Sequence, residues 1–465
     1  MTAEPTGANR TEPARTNRTE PAGANGAEPA SSNRADLAAD LARTNRADLA
    51  RTNWAGNVAY TCARLHRPTS VAGLQALTAR GDRIRALGTR HSFNELADGP
   101  GDLVSLAGLP PAMDVDSAAG TVRVAAGVRY AELARHIDEK GFALPNLGSL
   151  PHISVAGACA TATHGSGVGN GCLSTAVSRL ELVTADGDLV TVGRAADHFS
   201  GMVVGLGALG IVVSLTLDLV PSFDLRQRVY EGLPLDVLDD HFEELVTAAY
   251  SVCLFTDWRS PALTQVWIIE RVDEPESPVV KEPWFTASPA TGPLHPVPGF
   301  SAASCTEQLG VTGRWYERLP HFRPDFEPSS AGDELHSEYM VARRDAVPAL
   351  RALDGIRASI SPVSQICEVR TVAADDLWMS PFYREDSVSI HFTWIADTAA
   401  VLPVVGMVEE RLAPFRARPH WAKIFTTPPA LLRSRYERAS DFRDLVRVWD
   451  PAGKFGNSFL DRYLS

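Results

Sequence analysis

From Ala156 to Gly167 the chain reads Ala-Gly-Ala-Cys-Ala-Thr-Ala-Thr-His-Gly-Ser-Gly, and apart from His164 nothing in that run is bulky. Such a stretch cannot fill a core by itself. It lets the backbone approach a flat ligand closely, and its hydroxyls and amides can serve the ligand's polar end. The segment leading into it, Ser149 through Pro151-His152-Ile153-Ser154-Val155, adds two more hydroxyls. A packed helix with glycine breaks is the competing reading. Two other segments share the character. In Gly88-Thr89-Arg90-His91-Ser92-Phe93-Asn94 the successive N–H groups of a glycine-containing turn form an anion cradle, with Arg90, Ser92 and Asn94 as further donors. Taken alone it is also compatible with an ordinary surface turn. Leu206-Gly207-Ala208-Leu209-Gly210-Ile211 reads as a tight turn before a strand. It lacks the Gly-x-Gly-x-x-Gly spacing of a Rossmann helix, which disfavours a nicotinamide enzyme.

A chain of 465 residues with 45% apolar content can build two or three domains with large cores. A formal charge of -12 argues against non-specific binding to nucleic acid or to an anionic membrane. Cysteines 62, 159, 172, 253, 305 and 367 form no Cys-x-x-Cys pair and no zinc-type cluster. Neither a disulfide framework nor a metal is expected. With no secretory signal visible, a cytoplasmic location is the expectation. Phe199 to Leu217 is uncharged, but four glycines crowd its first part and alternation follows, so it reads as a glycine-rich turn entering a strand rather than a membrane span.

Residues 1–53 lack aromatic residues and repeat Asn-Arg-Thr-Glu-Pro-Ala and Asn-Arg-Ala-Asp-Leu-Ala, which predicts a disordered low-complexity tail with short helix near Leu37, Leu41 and Leu49. Order is expected from Trp54. A helix start falls at Pro68-Thr69-Ser70, strands at Arg83–Leu87 and Thr121–Val128, a helix at Tyr130–Lys140, and a hairpin over Arg179–Thr191 turning at Asp186-Gly187. Composition shifts near Ser222, a proline-rich stretch runs from Glu274 to Pro298, and strands are predicted at Val363–Val372 and Val388–Trp394. The expected division is 54–221, 222–419, and a segment 420–465 that returns to the first part. The fold class is α+β.

Polar residues in the second half recur at strand spacing. Glu368 and Arg370 share a face two apart, presenting a carboxylate beside a guanidinium. In Ser387–Trp394 the apolar residues alternate with Ser387, Ser389, His391 and Thr393, the pattern of a half-buried strand. Lys423, between Trp421 and Phe425, is one of only four lysines. A desolvated ammonium there could stabilise negative charge or polarise a hydroxyl, and a snorkelling lysine on an aromatic patch is the alternative.

In this order, the segments resemble the vanillyl-alcohol oxidase/PCMH family of FAD-binding flavoproteins over nearly the whole chain from Trp54. The resemblance implies an FAD-binding domain of two α+β subdomains and a substrate-binding cap with a mainly antiparallel sheet. It implies that the loop Ala86, Leu87, Gly88, Thr89, Arg90, His91, Ser92 holds the FAD pyrophosphate, with a covalent bond from His91 to the flavin. Ser149, Ser154, Gly157, Thr161, Ala162, Thr163, His164, Ile211 and His420 would line FAD. Ser149, Glu368, Arg370, Thr393 and Lys423 would bind substrate, with Lys423, Arg370, His391 and Glu368 as the catalytic set and Lys423 or His391 taking the hydroxyl proton. The implied reaction is oxidation of the terminal primary hydroxyl of an alditol, with O2 reduced to H2O2. A gulonolactone-type sugar-lactone oxidase is the alternative, sharing the His loop, the Glu-x-Arg pair and the His-Trp-x-Lys segment. Thr89-Arg90 stands where many relatives have Ser-Gly.

Overall fold

The computed structural model describes residues 52–273, 284–326 and 333–464. The low-complexity tail, apart from its last two residues, and the part of the proline-rich stretch before Trp284 lie outside the described residues. The first described strands, β1 (Arg64–His66), β2 (Ile84–Leu87) and β3 (Asp102–Ser105), form a small parallel sheet in the order β1-β3-β2. Helix α1 (Val71–Arg80) crosses between β1 and β2. It starts where the sequence places it, because the Ser70 side chain accepts the Gly73 N–H and satisfies an otherwise unpaired donor of the first turn. The polar turn carrying His91 follows β2 directly.

Strands β4 (Met113–Asp116), β5 (Thr121–Ala125), β6 (Val177–Val183), β7 (Leu189–Gly193) and β8 (Ile211–Asp218) make a five-stranded antiparallel sheet, ordered β4-β5-β8-β6-β7. Helices α2 (Tyr130–Asp138) and α3 (Val155–Ala160) lie between β5 and β6 in the chain and bury Leu133, Ile137 and Val155. The hairpin turns at Asp186-Gly187 as expected, with Gly187 at φ +89. Here an expectation is corrected. Phe199–Val203 is a short helix rather than part of a turn. Its Gly201 serves close packing, since a Cβ there would lie 2.4 Å from the Trp378 ring, a contact invisible from local sequence.

The second half centres on a large antiparallel sheet. Its main strands are β9 (Asp224–Pro234), β10 (Ser251–Thr256), β11 (Ala262–Arg271), β12 (Glu334–Ala342), β13 (Ser364–Val372) and β14 (Ser387–Ile395), in the order β9-β11-β10-β13-β14-β12. Strand alternation gives it two unlike faces. On one face Leu254, Val266, Val369, Ile390, Phe392 and Val341 meet the apolar sides of α4 (Val237–Val246), α5 (Ala346–Asp354) and α6 (Thr398–Leu412). At about 1.5–3 kcal/mol for each fully buried large aliphatic or aromatic side chain, this face holds the sheet flat against its helices. The other face carries Glu338, Glu368, Arg370, Ser389, His391 and Thr393. β14 is therefore not half-buried, as its alternation predicted, but buried on both faces, because its polar side is covered by the first half of the molecule.

The last helices, Ala439–Trp449 and Ser458–Leu464, put Phe442, Leu445, Phe459, Leu460 and Tyr463 into the same apolar core as Val124, Leu133, Val155 and Leu215. Arg85, fully buried on β2, donates to the carbonyls of Leu96, Leu206 and Phe455 and so ties three distant segments together. No helix among the described residues is long and apolar enough to cross a membrane.

Candidate active site

Three neighbouring strands bring the polar residues into one row. Register places Glu338 of β12 opposite His391 of β14, and His391 opposite Glu368 of β13. One step along the same face lie Ser389 and Arg370, also paired, and one step the other way His336 and Thr393. Residues directly opposite on one face are in side-chain reach. Glu368 lies 3.5 Å from the Arg370 Nε and 3.5 Å from His391 Nδ1. Arg370 also donates through Nη1 to the Ser149 hydroxyl at 3.1 Å, which links the sheet to the loop preceding the small-residue run.

Glu338 is the hub of this cluster. Its Oε1 accepts from Arg370 Nη2 at 2.7 Å and from the Ser389 hydroxyl, and lies 3.1 Å from His164 Nε2. Its other oxygen lies 2.7 Å from the Lys423 ammonium. Lys423 reaches it from the turn after Pro419, and that turn is fastened to the His91 loop. The Asn94 amide donates to the carbonyls of Trp421 and Lys423, and the Phe93 N–H donates to the Ala422 carbonyl. His420 sits inside the turn, its Nδ1 accepting the Ala422 N–H.

The flavin-type segments pack against one another. Thr89 Oγ1 accepts the Ser154 N–H at 3.3 Å and contacts His91 Nδ1 at 3.1 Å. A Cβ at Gly88 or at Gly157 would come within 2.9 or 2.8 Å of the Ser154 hydroxyl, so both glycines are there for close approach. Arg90 and Ala162 hold left-handed backbone, φ 67 and 54, at the His91 loop and just after α3. Ala86 and Leu87 end β2, Ser92 follows His91, and Thr161, Thr163 and His164 follow α3, with the Thr161 and Thr163 hydroxyls 3.3 Å apart. Ile211 begins β8 and is buried. This cradle fits a flavin. The His91 Nε2 is buried with no hydrogen-bond partner among the described residues, while its Nδ1 is engaged by Thr89, which leaves one ring nitrogen unpaired. Trp54 stacks on the His91 ring at 5.4 Å.

Burial sets the charges. It pushes the His91 imidazole down to about 4 and the His391 imidazole down to about 3, the latter with help from the Lys423 charge, so both are neutral near pH 7. His391 Nε2 is buried and unpartnered. Burial alone would raise Glu338 and Glu368. The cations beside them win instead, Lys423 and Arg370 for Glu338 and Arg370 for Glu368, and both stay well below the usual carboxylate range. Burial lowers the Lys423 ammonium and Glu338 opposes it. Cys253, His321 and Glu368 bring three potential metal-ligand atoms within 4.8 Å of one another. The thiol, however, is pushed up to about 12 and the Arg370 guanidinium flanks the carboxylate, an environment hostile to a dication.

The structure thus gathers Ser149, Glu368, Arg370, His391, Thr393 and Lys423 at one polar face, with the loop at 86–92, the segment 154–164 and His420 beside it, while Ile211 lies in the first core. Sequence reasoning missed Glu338, His321, whose Nε2 lies 3.4 Å from Glu368, and Trp54. The alternation Glu334-x-His336-x-Glu338 in a strand-like run was a signal for Glu338. Nothing local marks His321 or Trp54.

A polar sheet face set against close-packed glycine loops and an open histidine nitrogen defines a flavin-dependent oxidoreductase. Comparison with known proteins agrees. Residues 66–193 match the model of the FAD binding domain, and residues 333–463 match that of D-arabinono-1,4-lactone oxidase. The chain is 55% identical over 410 residues to alditol oxidase from a Streptomyces species, covering 88% of this chain and 97% of that protein. It is 30% identical to L-gulono-1,4-lactone dehydrogenase from Mycobacterium tuberculosis, covering 88% and 98%. Among solved structures, a solvent-stable cholesterol oxidase superposes with a TM-score of 0.73 at 16% identity, covering 89% of this chain and 97% of that one, a likeness of fold alone. The chain belongs to the vanillyl-alcohol oxidase/PCMH family of FAD-binding flavoenzymes.

Proposed function

We propose that the protein oxidises the terminal primary hydroxyl of an alditol such as xylitol or sorbitol to the aldehyde, with O2 reduced to H2O2. The observation that carries this reading is the row of buried Glu368, Arg370 and Thr393 with half-buried Ser149, His391 and Lys423, which offers a small polyhydroxylated molecule donors and acceptors along its length. Similarity to an alditol oxidase supports the same substrate class. In this reading 54–221 and 420–465 build the flavin-binding unit and 222–419 the substrate unit.

Residues 86–92, 149, 154, 157, 161–164, 211 and 420 would hold FAD, with His91 as the residue that would bond to it covalently, and the group would supply the two-electron acceptor that O2 regenerates. The side chains do the rest. Arg370 donates to the C1 hydroxyl, and Glu368 helps to position it through its contacts with Arg370 and His391, which fix both side chains. Ser149 and Thr393 hold later hydroxyls. Lys423 or His391 takes or shares the C1 hydroxyl proton, His391 having a neutral, unpartnered Nε2 for it. Burial of the row excludes water and fixes geometry before the substrate arrives.

Two experiments test this. Acid-precipitated protein should retain flavin colour in the pellet, and His91→Ala should release it to the supernatant. A panel of xylitol, sorbitol and gulonolactone read by peroxide release should favour the alditols. Preference for the lactone would instead support the lactone-oxidase reading, which the match of residues 333–463 to the D-arabinono-1,4-lactone oxidase model keeps in view.

A further inference from the structure

We propose that Glu338 is a positioning residue whose negative charge keeps Lys423 an ammonium ion at the face where substrate is held, while also fixing the rotamer of Arg370. The inference deepens the reading above and rests on it for its meaning, though not for its test.

The geometry starts from a carboxylate 1% exposed that is approached from three different parts of the chain. Lys423 comes from the turn after Pro419, His164 from the segment after α3, and Arg370 and Ser389 from neighbouring strands. His391 stands opposite it in the sheet, and His420 donates its backbone N–H to the Glu338 carbonyl at 2.9 Å. Among these neighbours the cationic side chains are Arg370, charged at any working pH, and Lys423. Glu368, 3.5 Å from the Arg370 Nε, is the other carboxylate, and the histidines around the pair are driven neutral by burial. Two cations thus face two carboxylates. Glu368 is engaged with Arg370 and His391, so Lys423 depends on Glu338 for its counter-charge.

A buried ammonium without a counter-ion gives up its proton, and a buried ion pair that loses one member leaves the other uncompensated. Replacing Glu338 by glutamine keeps the shape and an acceptor oxygen but removes the charge. Lys423 would then face burial and the repulsion of Arg370, both of which lower it, with only the weaker pull of Glu368 to oppose them. A residue with a merely structural role would not move the protonation of another group in this selective way.

The chain has only four lysines, Lys140, Lys281, Lys423 and Lys454, so each can be followed individually. The holoenzyme is labelled with [ε-13C]lysine, the Lys423 resonance is assigned by its loss in Lys423→Arg, and all signals are titrated by NMR in the wild type and in Glu338→Gln. The expected result is a wild-type Lys423 charged at pH 7.5, and a midpoint at least one pH unit lower in Glu338→Gln while the other lysines do not move. Glu338→Asp, which keeps the charge, should return the midpoint towards the wild-type value. A neutral wild-type Lys423 at pH 7.5 overturns the proposal without any variant, as does an unchanged midpoint in Glu338→Gln. Alditol oxidation is measured on the same wild-type sample. Its absence would count against the proposed reaction and leave the Glu338–Lys423 assignment standing on the titration.

Discussion

Among the described residues Thr89 holds the one side-chain hydrogen bond to the His91 ring, and it does so while accepting the Ser154 N–H, so a single hydroxyl orients the ring and fixes the loop to the start of α3. In the tautomer whose Nδ1–H donates to Thr89, the free lone pair lies on Nε2, which is the atom that the proposed bond to the flavin would then use. Thr89→Val keeps the bulk and removes that control. The fraction of flavin surviving acid precipitation should fall, while unfolding free energy changes by about 1 kcal/mol, the worth of one or two ordinary hydrogen bonds. Glu368→Gln tests a different role. It leaves Arg370 one charged partner short in a buried site, and kcat/KM for an alditol should drop about 100-fold, equivalent to roughly 3 kcal/mol for a charged hydrogen bond. Flavin content should be unchanged, because Glu368 touches none of the flavin-binding loops through any hydrogen bond described above.

At the level of elements, the close approach of the small-residue run to its neighbours is what sets Ser149 against Arg370. A Cβ at Gly165 would lie 2.1 Å from the Asn146 side chain and 2.3 Å from the Leu147 carbonyl, so Gly165→Ala must displace the strip that carries Ser149. Destabilisation of about 1–3 kcal/mol is expected, as for other overpacked sites, with a raised KM for alditols. Gly169→Ala, where nothing lies within 4 Å, is the control, and its stability should stay within about 0.5 kcal/mol of wild type in denaturant titration. These elements also show what could be read in advance. The His91 turn, the 149–167 run, α1 with its Ser70 cap and the strands around Glu368 and His391 were legible because each is declared by neighbouring residues. The helix Phe199–Val203 was not, because its glycine answers to Trp378 far along the chain. Glu338 was only half legible. Alternation places it on a strand face, but its meaning comes from its register with β14 and from β13 lying on the far side of β14, and strand order in an antiparallel sheet is not written in any local pattern.

Across the whole molecule, folding buries histidines in their neutral form at the junction between the two halves. His91 falls to about 4 and His391 to about 3, and His420 lies well below its ordinary value, each chiefly through burial. In the unfolded chain these side chains take up protons near pH 6.5. Between that pH and their folded values the unfolded state binds more protons, so stability must fall as pH falls. The sign is the same for Glu338 and Glu368. Their folded values are depressed, so their contribution is complete above about pH 4.5 and fades only in stronger acid. Acid destabilisation should therefore begin near pH 6.5, set by the histidines, and steepen below about pH 4.5 when the carboxylates join it. Each neutral buried histidine adds a slope of up to about 1.4 kcal/mol per pH unit. Thermal unfolding of the holoenzyme at half-unit steps from pH 7.5 to 4.0 measures this directly. His391→Asn, which cannot take up a proton in either state, should flatten the curve between pH 6.5 and 4.5. A melting temperature flat down to pH 5 in the wild type would mean that these imidazoles are charged in the folded protein, and that the junction is wetter and less restrictive than its packing indicates.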